Sequence, residues 1–235
     1  NNNFVVSFGD TISNGVPSLG AGNLEAGGSE DNYLLSASTG QRLVYDHLNG
    51  SYDVYLYDQY GAFLANLGPY DWDYTFPEEG TYRLRIFGNT PTATGTYSFA
   101  LRLAPAPQAF TIAYGSLVAN GAPAAGAGNL EAAGAEDNYF LDAVMGQRLV
   151  FDHISGNYKL FLYDQYDNFM ANLGPYDWDY TFPVNGVYRL RVFGNVPTGT
   201  GLYSFQVHLA PLPQSFDVAY GSNTVSYTHL TLPTN

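Results

Sequence analysis

Apolar and polar positions alternate with a period of two over short stretches of this chain, and each stretch ends at a Gly-, Pro-, Asn- or Asp-containing turn signal. In Tyr82-Arg83-Leu84-Arg85-Ile86 the three apolar side chains share one face and the two arginines the other. In Trp72-Asp73-Tyr74-Thr75-Phe76 three aromatics share one face, with Asp73 and Thr75 opposite. The pattern predicts strands at 4–8, 32–37, 41–47, 52–58, 62–66, 72–76, 81–88 and 95–103. No window sustains the i, i+3, i+4 spacing of an amphipathic helix. Such a density of short strands predicts an all-β fold of the antiparallel β-sandwich, jelly-roll-like kind. Pro77-Glu78-Glu79-Gly80 reads as a hairpin turn joining 72–76 to 81–88. That hairpin would set Asp71 and Asp73 beside Arg83 and Arg85 on an outer face.

The whole pattern then repeats. Asn66-Leu67-Gly68-Pro69-Tyr70-Asp71-Trp72-Asp73-Tyr74-Thr75-Phe76-Pro77 returns unbroken 106 residues later, ending at Pro183. Between 4–109 and 110–215 no gap is needed, and 67 of the 106 aligned positions are identical. A unit of that length is a small domain, not a turn of a solenoid. We therefore expect two tandem domains, 4–109 and 110–215. Ala104-Pro105-Ala106-Pro107-Gln108 between them reads as a short, semi-rigid spacer, and Ala210-Pro211-Leu212-Pro213-Gln214 repeats it. A third copy opens at Phe216-Asp217-Val218-Ala219-Tyr220-Gly221-Ser222, so 216–224 reads as the first strand of a truncated repeat. Residues 225–235 resemble translated sequencing adapter and read as a non-native tail on a metagenomic gene fragment.

Composition narrows the function classes. The chain has 235 residues and carries 8 Lys+Arg against 21 Asp+Glu, a net charge of −13, which argues against a nucleic-acid partner. It has no apolar run long enough to cross a bilayer as a helix, so no membrane insertion is expected in this fragment. Cysteine is absent, which excludes disulfides and thiolate zinc sites. No Gly-x-Ser-x-Gly elbow and no His-Glu-x-x-His pair occurs. His47 and His153 follow Asp46 and Asp152 at strand ends, where a structural polar role is the expectation. No catalytic residue is assigned.

Several elements resemble the bacterial pre-peptidase C-terminal domain family. They are the run 23–33 (NLEAGGSEDNY), the Gly40-Gln41 turn, Asp53-Val54-Tyr55-Leu56-Tyr57-Asp58, Gly80-Thr81-Tyr82-Arg83-Leu84-Arg85-Ile86 and Gly95-Thr96-Tyr97-Ser98-Phe99, in family order. The resemblance covers most of each unit. It implies a secreted β-sandwich accessory domain, found beside proteases or in tandem in surface proteins, and it does not imply catalysis.

Two constellations carry candidate chemistry. Glu25, Glu30 and Asp31 sit in and after a Gly-rich loop, and Glu131, Glu136 and Asp137 repeat them. Calcium takes six to eight oxygens from carboxylates and carbonyls, which such loops supply. These six residues are candidate calcium ligands, and the resemblance supports this because some relatives bind calcium near their N-terminal segment. The competing reading is a solvated acidic loop. The second constellation is aromatic. If Val54 and Leu56 point inward, Tyr55 and Tyr57 point outward, joined by Tyr60 and Phe87; Phe161, Tyr163, Tyr166 and Phe193 repeat them. Exposed rings can stack on an extracellular glycan or a protein partner, although tyrosine also favours strand exteriors for its own sake.

The expectation is a non-catalytic structural or adhesive repeat module of a secreted or cell-surface bacterial protein. Two alternatives stand beside it: a carbohydrate- or protein-binding module using the exposed tyrosines, and an accessory domain of a secreted peptidase.

Overall fold

Strict alternation makes each strand two-faced, and in the computed structural model the apolar faces close on each other. Residues 2–215 and Asp217 are described; the expected third-copy strand at 216–224, apart from Asp217, and the tail at 225–235 lie outside the described residues. The first half is built from β1 (Asn2–Val6), β2 (Thr11–Ile12), β3 (Asn23–Leu24), β4 (Glu30–Ala37), β5 (Arg42–Asn49), β6 (Tyr52–Tyr57), β7 (Phe63–Asn66), β8 (Trp72–Thr75), β9 (Gly80–Gly88), β10 (Gly95–Thr96) and β11 (Ser98–Leu103). A five-stranded sheet runs β1-β4-β9-β6-β7, a four-stranded sheet β2-β11-β5-β8, and β3 and β10 form a small ribbon. Every pair is antiparallel except β1 with β4, which is parallel.

The second half repeats this order. It comprises β12 (Gln108–Ile112), β13 (Leu117–Val118), β14 (Asn129–Leu130), β15 (Glu136–Ala143), β16 (Arg148–Ser155), β17 (Tyr158–Tyr163), β18 (Phe169–Gly174), β19 (Trp178–Thr181), β20 (Gly186–Gly194), β21 (Gly201–Leu202) and β22 (Ser204–Leu209). No helix occurs among the described residues. The fold is all-β, in two similar halves.

Each half has its own core, fed by both large sheets. In the first, Tyr33, Leu35, Val54, Leu56, Leu84 and Ile86 come from the five-stranded sheet and meet Ile12, Leu43, Tyr45, Phe99 and Leu101 of the four-stranded one. Tyr33 and Phe99 meet edge to face across the sandwich, with ring centroids 5.3 Å apart. The second core uses the equivalent set, with Tyr139 on Phe205 at 5.4 Å. Such aromatic pairs contribute about 0.5–1.5 kcal/mol beyond the area they bury.

One expectation fails here. Residues 72–76 and 81–88 do not form a hairpin: β8 pairs with β5 in the four-stranded sheet, while β9 lies between β4 and β6 in the other. The 76–80 segment is an arch that crosses the sandwich. Phe76 is fully buried, and its N–H donates to the Gln41 carbonyl while its own carbonyl accepts from the Gly40 N–H. Burying that ring between the sheets outweighs continuing into a hairpin. Consequently Asp71 and Asp73 do not flank Arg83 and Arg85. Asp71 instead accepts the His47 N–H at 3.0 Å, and Arg83 donates to Asn32 at 3.1 Å. The spacer is also more engaged than a free linker: the Ala104 N–H donates to the Arg42 carbonyl, and Gln108 already belongs to β12.

Candidate functional site

Glu30 and Asp31 are consecutive in a strand, so they face opposite sides of the sheet. Glu30 lies on the outer face of β4 and meets the Arg85 guanidinium from neighbouring β9 through two parallel bonds, Nε to Oε2 at 2.9 Å and Nη2 to Oε1. That bond holds the Glu30 carboxyl below its usual range. Asp31 points inward and is buried. It ends a relay in which the Gly22 N–H donates to the Tyr33 oxygen (3.0 Å), the Tyr33 hydroxyl to Tyr97 (2.7 Å) and the Tyr97 hydroxyl to Asp31 Oδ2 (2.5 Å). The Asn2 amide donates to Asp31 Oδ1 at 3.1 Å. Burial pushes the Asp31 carboxyl up despite these bonds.

The second half repeats the relay through Gly128, Tyr139, Tyr203 and Asp137. There Gln108 stands where the first half has Asn2, and its amide turns to Glu131 at 2.7 Å. Asp137 Oδ1 is left buried with no partner among the described residues. Burial pushes the Asp137 carboxyl up to about 6. Burial likewise raises both Tyr33, to about 12, and Tyr139.

The six candidate calcium ligands are therefore not gathered around one point in either half. Glu25 and Glu131 are exposed, Glu30 and Glu136 are held by Arg85 and Arg191 outside the sheet, and Asp31 and Asp137 lie inside it. Among the described residues no group of three or more His, Asp or Glu side chains is arranged to hold a metal ion. The tyrosine–aspartate relay was missed because Tyr33 and Tyr97 are far apart in sequence and both read as plain core aromatics. The signal was there in the inward tyrosines of each unit, each needing a hydroxyl partner.

The outer face of the five-stranded sheet does carry the expected rings. Val54 and Leu56 are fully buried, so Tyr55 and Tyr57 project outward. Phe63 of β7 joins them, 5.3 Å from Tyr55, and Phe87 lies 4.8 Å from Tyr55 on the other side. Arg83 stacks over Tyr57 at 4.3 Å and Arg85 over Phe87 at 4.8 Å. Phe161, Tyr163, Phe169 and Phe193 repeat the row, with Arg189 over Tyr163 and Arg191 over Phe193. Tyr60 and Tyr166 stand apart from it, at turn tips where their N–H groups bond Asp58 and Asp164. The arginines and the two phenylalanines of β7 and β18 were not singled out from sequence, because their place in the row depends on which strands are neighbours.

The histidines are occupied locally. His47 Nε2 lies 3.1 Å from the Gly50 carbonyl with its ring stacked on Tyr52, and His153 Nδ1 lies 2.9 Å from the Tyr158 hydroxyl.

No family model and no curated protein matches the chain. Among solved structures, a periplasmic inhibitor of g-type lysozyme, PliG, from Salmonella Typhimurium aligns at 21% identity and a TM-score of 0.36, over 44% of this chain and 99% of its own. PliG from Aeromonas hydrophila aligns at 14% identity and 0.35, over 45% and 100%. The CUB1-EGF-CUB2 region of human MASP-1/3 aligns at 10% identity and 0.28, over 86% and 99%.

Proposed function

We propose that this chain is a non-catalytic structural or adhesive repeat module of a secreted or cell-surface bacterial protein. The observation that supports it is the repetition itself. Two units with the same strand order each close a complete aromatic core, and the same relay and outer ring row recur in both. Catalysis needs one site and gains little from a near-copy in series, whereas a stalk gains length and equal strength from each added unit. The polar groups that resemble chemistry are turned to structure: the inward aspartates cap tyrosine relays, and the histidines bond nearby carbonyl and hydroxyl groups. The resemblance to a family of secreted accessory domains agrees with this reading.

Pulling the chain end to end should give two unfolding events of equal contour length, each about 106 residues at roughly 3.6 Å per residue less the folded span. One event, or two of clearly different length, would sink the stalk reading. Turnover of a peptide or glycan substrate by the chain would sink the non-catalytic one.

The outer ring row favours a second reading, a carbohydrate- or protein-binding face. Phe63 and Phe169 remain more than half exposed at the row's edge in both halves. A glycan array on wild type and a Phe63→Ala/Phe169→Ala double variant tests it, with binding lost in the variant as the supporting result.

A further inference from the structure

The two halves match at 67 of 106 positions, so a matched residue that is covered in one half and bare in the other points to a contact between units. Arg42 is such a place. It meets the Glu136 carboxylate and the Gly134 carbonyl of the second half, and its side chain is only 14% exposed. Its twin Arg148 is 53% exposed and, among the described residues, pairs with Asp179 of its own half, at 3.6 Å. Val44 beside Arg42 is fully buried, while Val150 is half-buried.

The receiving side shows the reverse. Glu136 is 8% exposed against 25% for Glu30, and Pro197 and Thr198 are half-buried where Pro91 and Thr92 are exposed. The Thr198 hydroxyl donates to Asp71 of the first half at 2.6 Å. Gly134 fits the joint for a reason its twin does not share. A Cβ at 134 would lie 2.6 Å from both Val44 and Ala104, whereas a Cβ at Gly28 would meet nothing within 4 Å.

Among the described residues there are thus one closed joint and two unmatched surfaces: the Arg148 face at the end of the second half, and the Glu30 face at the start of the first. We propose that the face of Arg148 and Val150 is the seat of a third unit of the same repeat, following in the same chain, so that units stack into a stiff rod through one arginine per joint. This rests on the structural-repeat reading. Three observations choose the occupant. The sequence restarts the repeat at 216–222. The Ala210 N–H bonds the Arg148 carbonyl as the Ala104 N–H bonds that of Arg42, so the chain leaves both faces in the same way. The charge of Arg148 also matches the glutamate that each unit presents. A contact this small suits a tethered neighbour, whose effective concentration is millimolar, better than a free one.

The chain has no cysteine, so spin labels at Tyr60→Cys and Tyr166→Cys, twin exposed tips, report the first joint cleanly. In the full chain the label distance should be narrowly distributed. Its width should roughly double in Arg42→Ala, as a joint held by few contacts is released, and stay unchanged in Arg148→Ala. Gly134→Ala should broaden it and Gly28→Ala should not; both glycines have positive φ, so backbone strain cancels in that comparison. In a chain carrying a further copy of residues 110–215 after Ser215, the second joint should be as narrow as the first. There Arg148→Ala should broaden the second joint alone. A second joint that is broad in the unsubstituted chain, or indifferent to Arg148→Ala, overturns the proposal. Concentration-dependent self-association of the 235-residue chain that Arg148→Ala abolishes would assign the face to a second copy and overturns it too. Either failure leaves the two equal unfolding events of the stalk reading intact.

Discussion

Asp31 and Asp137 occupy the same place in the two halves, yet among the described residues only Asp31 has both carboxylate oxygens bonded. The difference is one methylene. Asn2 is short enough to stay beside β4 and donate to Asp31, whereas Gln108 reaches past to the exposed Glu131. The hydroxyl relays behind both aspartates are otherwise the same. A second divergence works the same way. Tyr45 donates to Tyr52, which in turn donates to the Ser98 carbonyl; where the second half has Phe151, the Tyr158 hydroxyl bonds His153 instead. Polar networks inside a sandwich are thus set by single side-chain lengths, while the sheets around them tolerate many changes.

The largest effect should come from breaking one core and leaving its twin. Phe99 is fully buried and meets Tyr33, Tyr45 and Tyr97. Phe99→Ala should cost the first half about 3–5 kcal/mol, the usual range for emptying a phenylalanine site. The chain has two tryptophans, Trp72 and Trp178, one in each half. With Trp72→Phe in the background, Trp178 fluorescence follows the second half alone. Its denaturation midpoint should not move in Phe99→Ala. A matching shift would mean that the halves do not fold as the separate domains 4–109 and 110–215 expected from the repeat.

How much of this was legible in the sequence depends on the range of the contact. Strands were visible because alternation is local, and all eight expected stretches contain strands. The two-residue strands β2, β3, β13 and β14 were not, since two residues show no period. The arch at 76–80 was misread because Pro-Glu-Glu-Gly turn chemistry serves a hairpin and a crossover equally; only the destination of the Phe76 ring distinguishes them. Glu30 and Asp31 are neighbours in sequence, but strand alternation sends them to opposite faces, so adjacency alone did not show where each carboxylate lies. The joint at Arg42 was beyond reach, because identical twins in sequence become different only once one is covered.

The next effect concerns acid. Asp137 has its folded pKa raised to about 6 from an ordinary 3.8, so the folded state binds more protons than the unfolded state between those values. Its contribution to stability is therefore fully present below about pH 4 and is lost as pH rises through about 6. Gln108→Asn should restore the amide that Asp31 enjoys. It should bring the Asp137 pKa down, flatten the second half's loss of stability between pH 4 and 6, and add about 1 kcal/mol at pH 7, the net value of one hydrogen bond. Melting of the Trp72→Phe chain across that pH range reads all three. An unchanged slope would mean that the orphan oxygen is satisfied by something other than a side chain at 108. The reciprocal Asn2→Gln should give the first half the pH dependence of the second.

The smallest effect should come from Phe151→Tyr. The first half shows that the site has room, since Tyr45 packs there against Phe99 at a centroid distance of 5.0 Å, as Phe151 does against Phe205 at 4.9 Å. The new hydroxyl would lie beside the Tyr158 oxygen, as that of Tyr45 lies 2.8 Å from Tyr52. It would enter a fully buried position, so its desolvation nearly cancels the bond it makes, and the net gain should be about 0.5–1 kcal/mol. The more telling readout is His153. If its Nδ1 loses its hydrogen bond with the Tyr158 hydroxyl to the rearranged network, its ring resonances in NMR should move toward those of His47, whose Nε2 lies beside the Gly50 carbonyl. If His153 keeps its resonances while stability falls by 1 kcal/mol or more, the two polar networks are not interchangeable, and their difference lies in the backbone and not in the one hydroxyl.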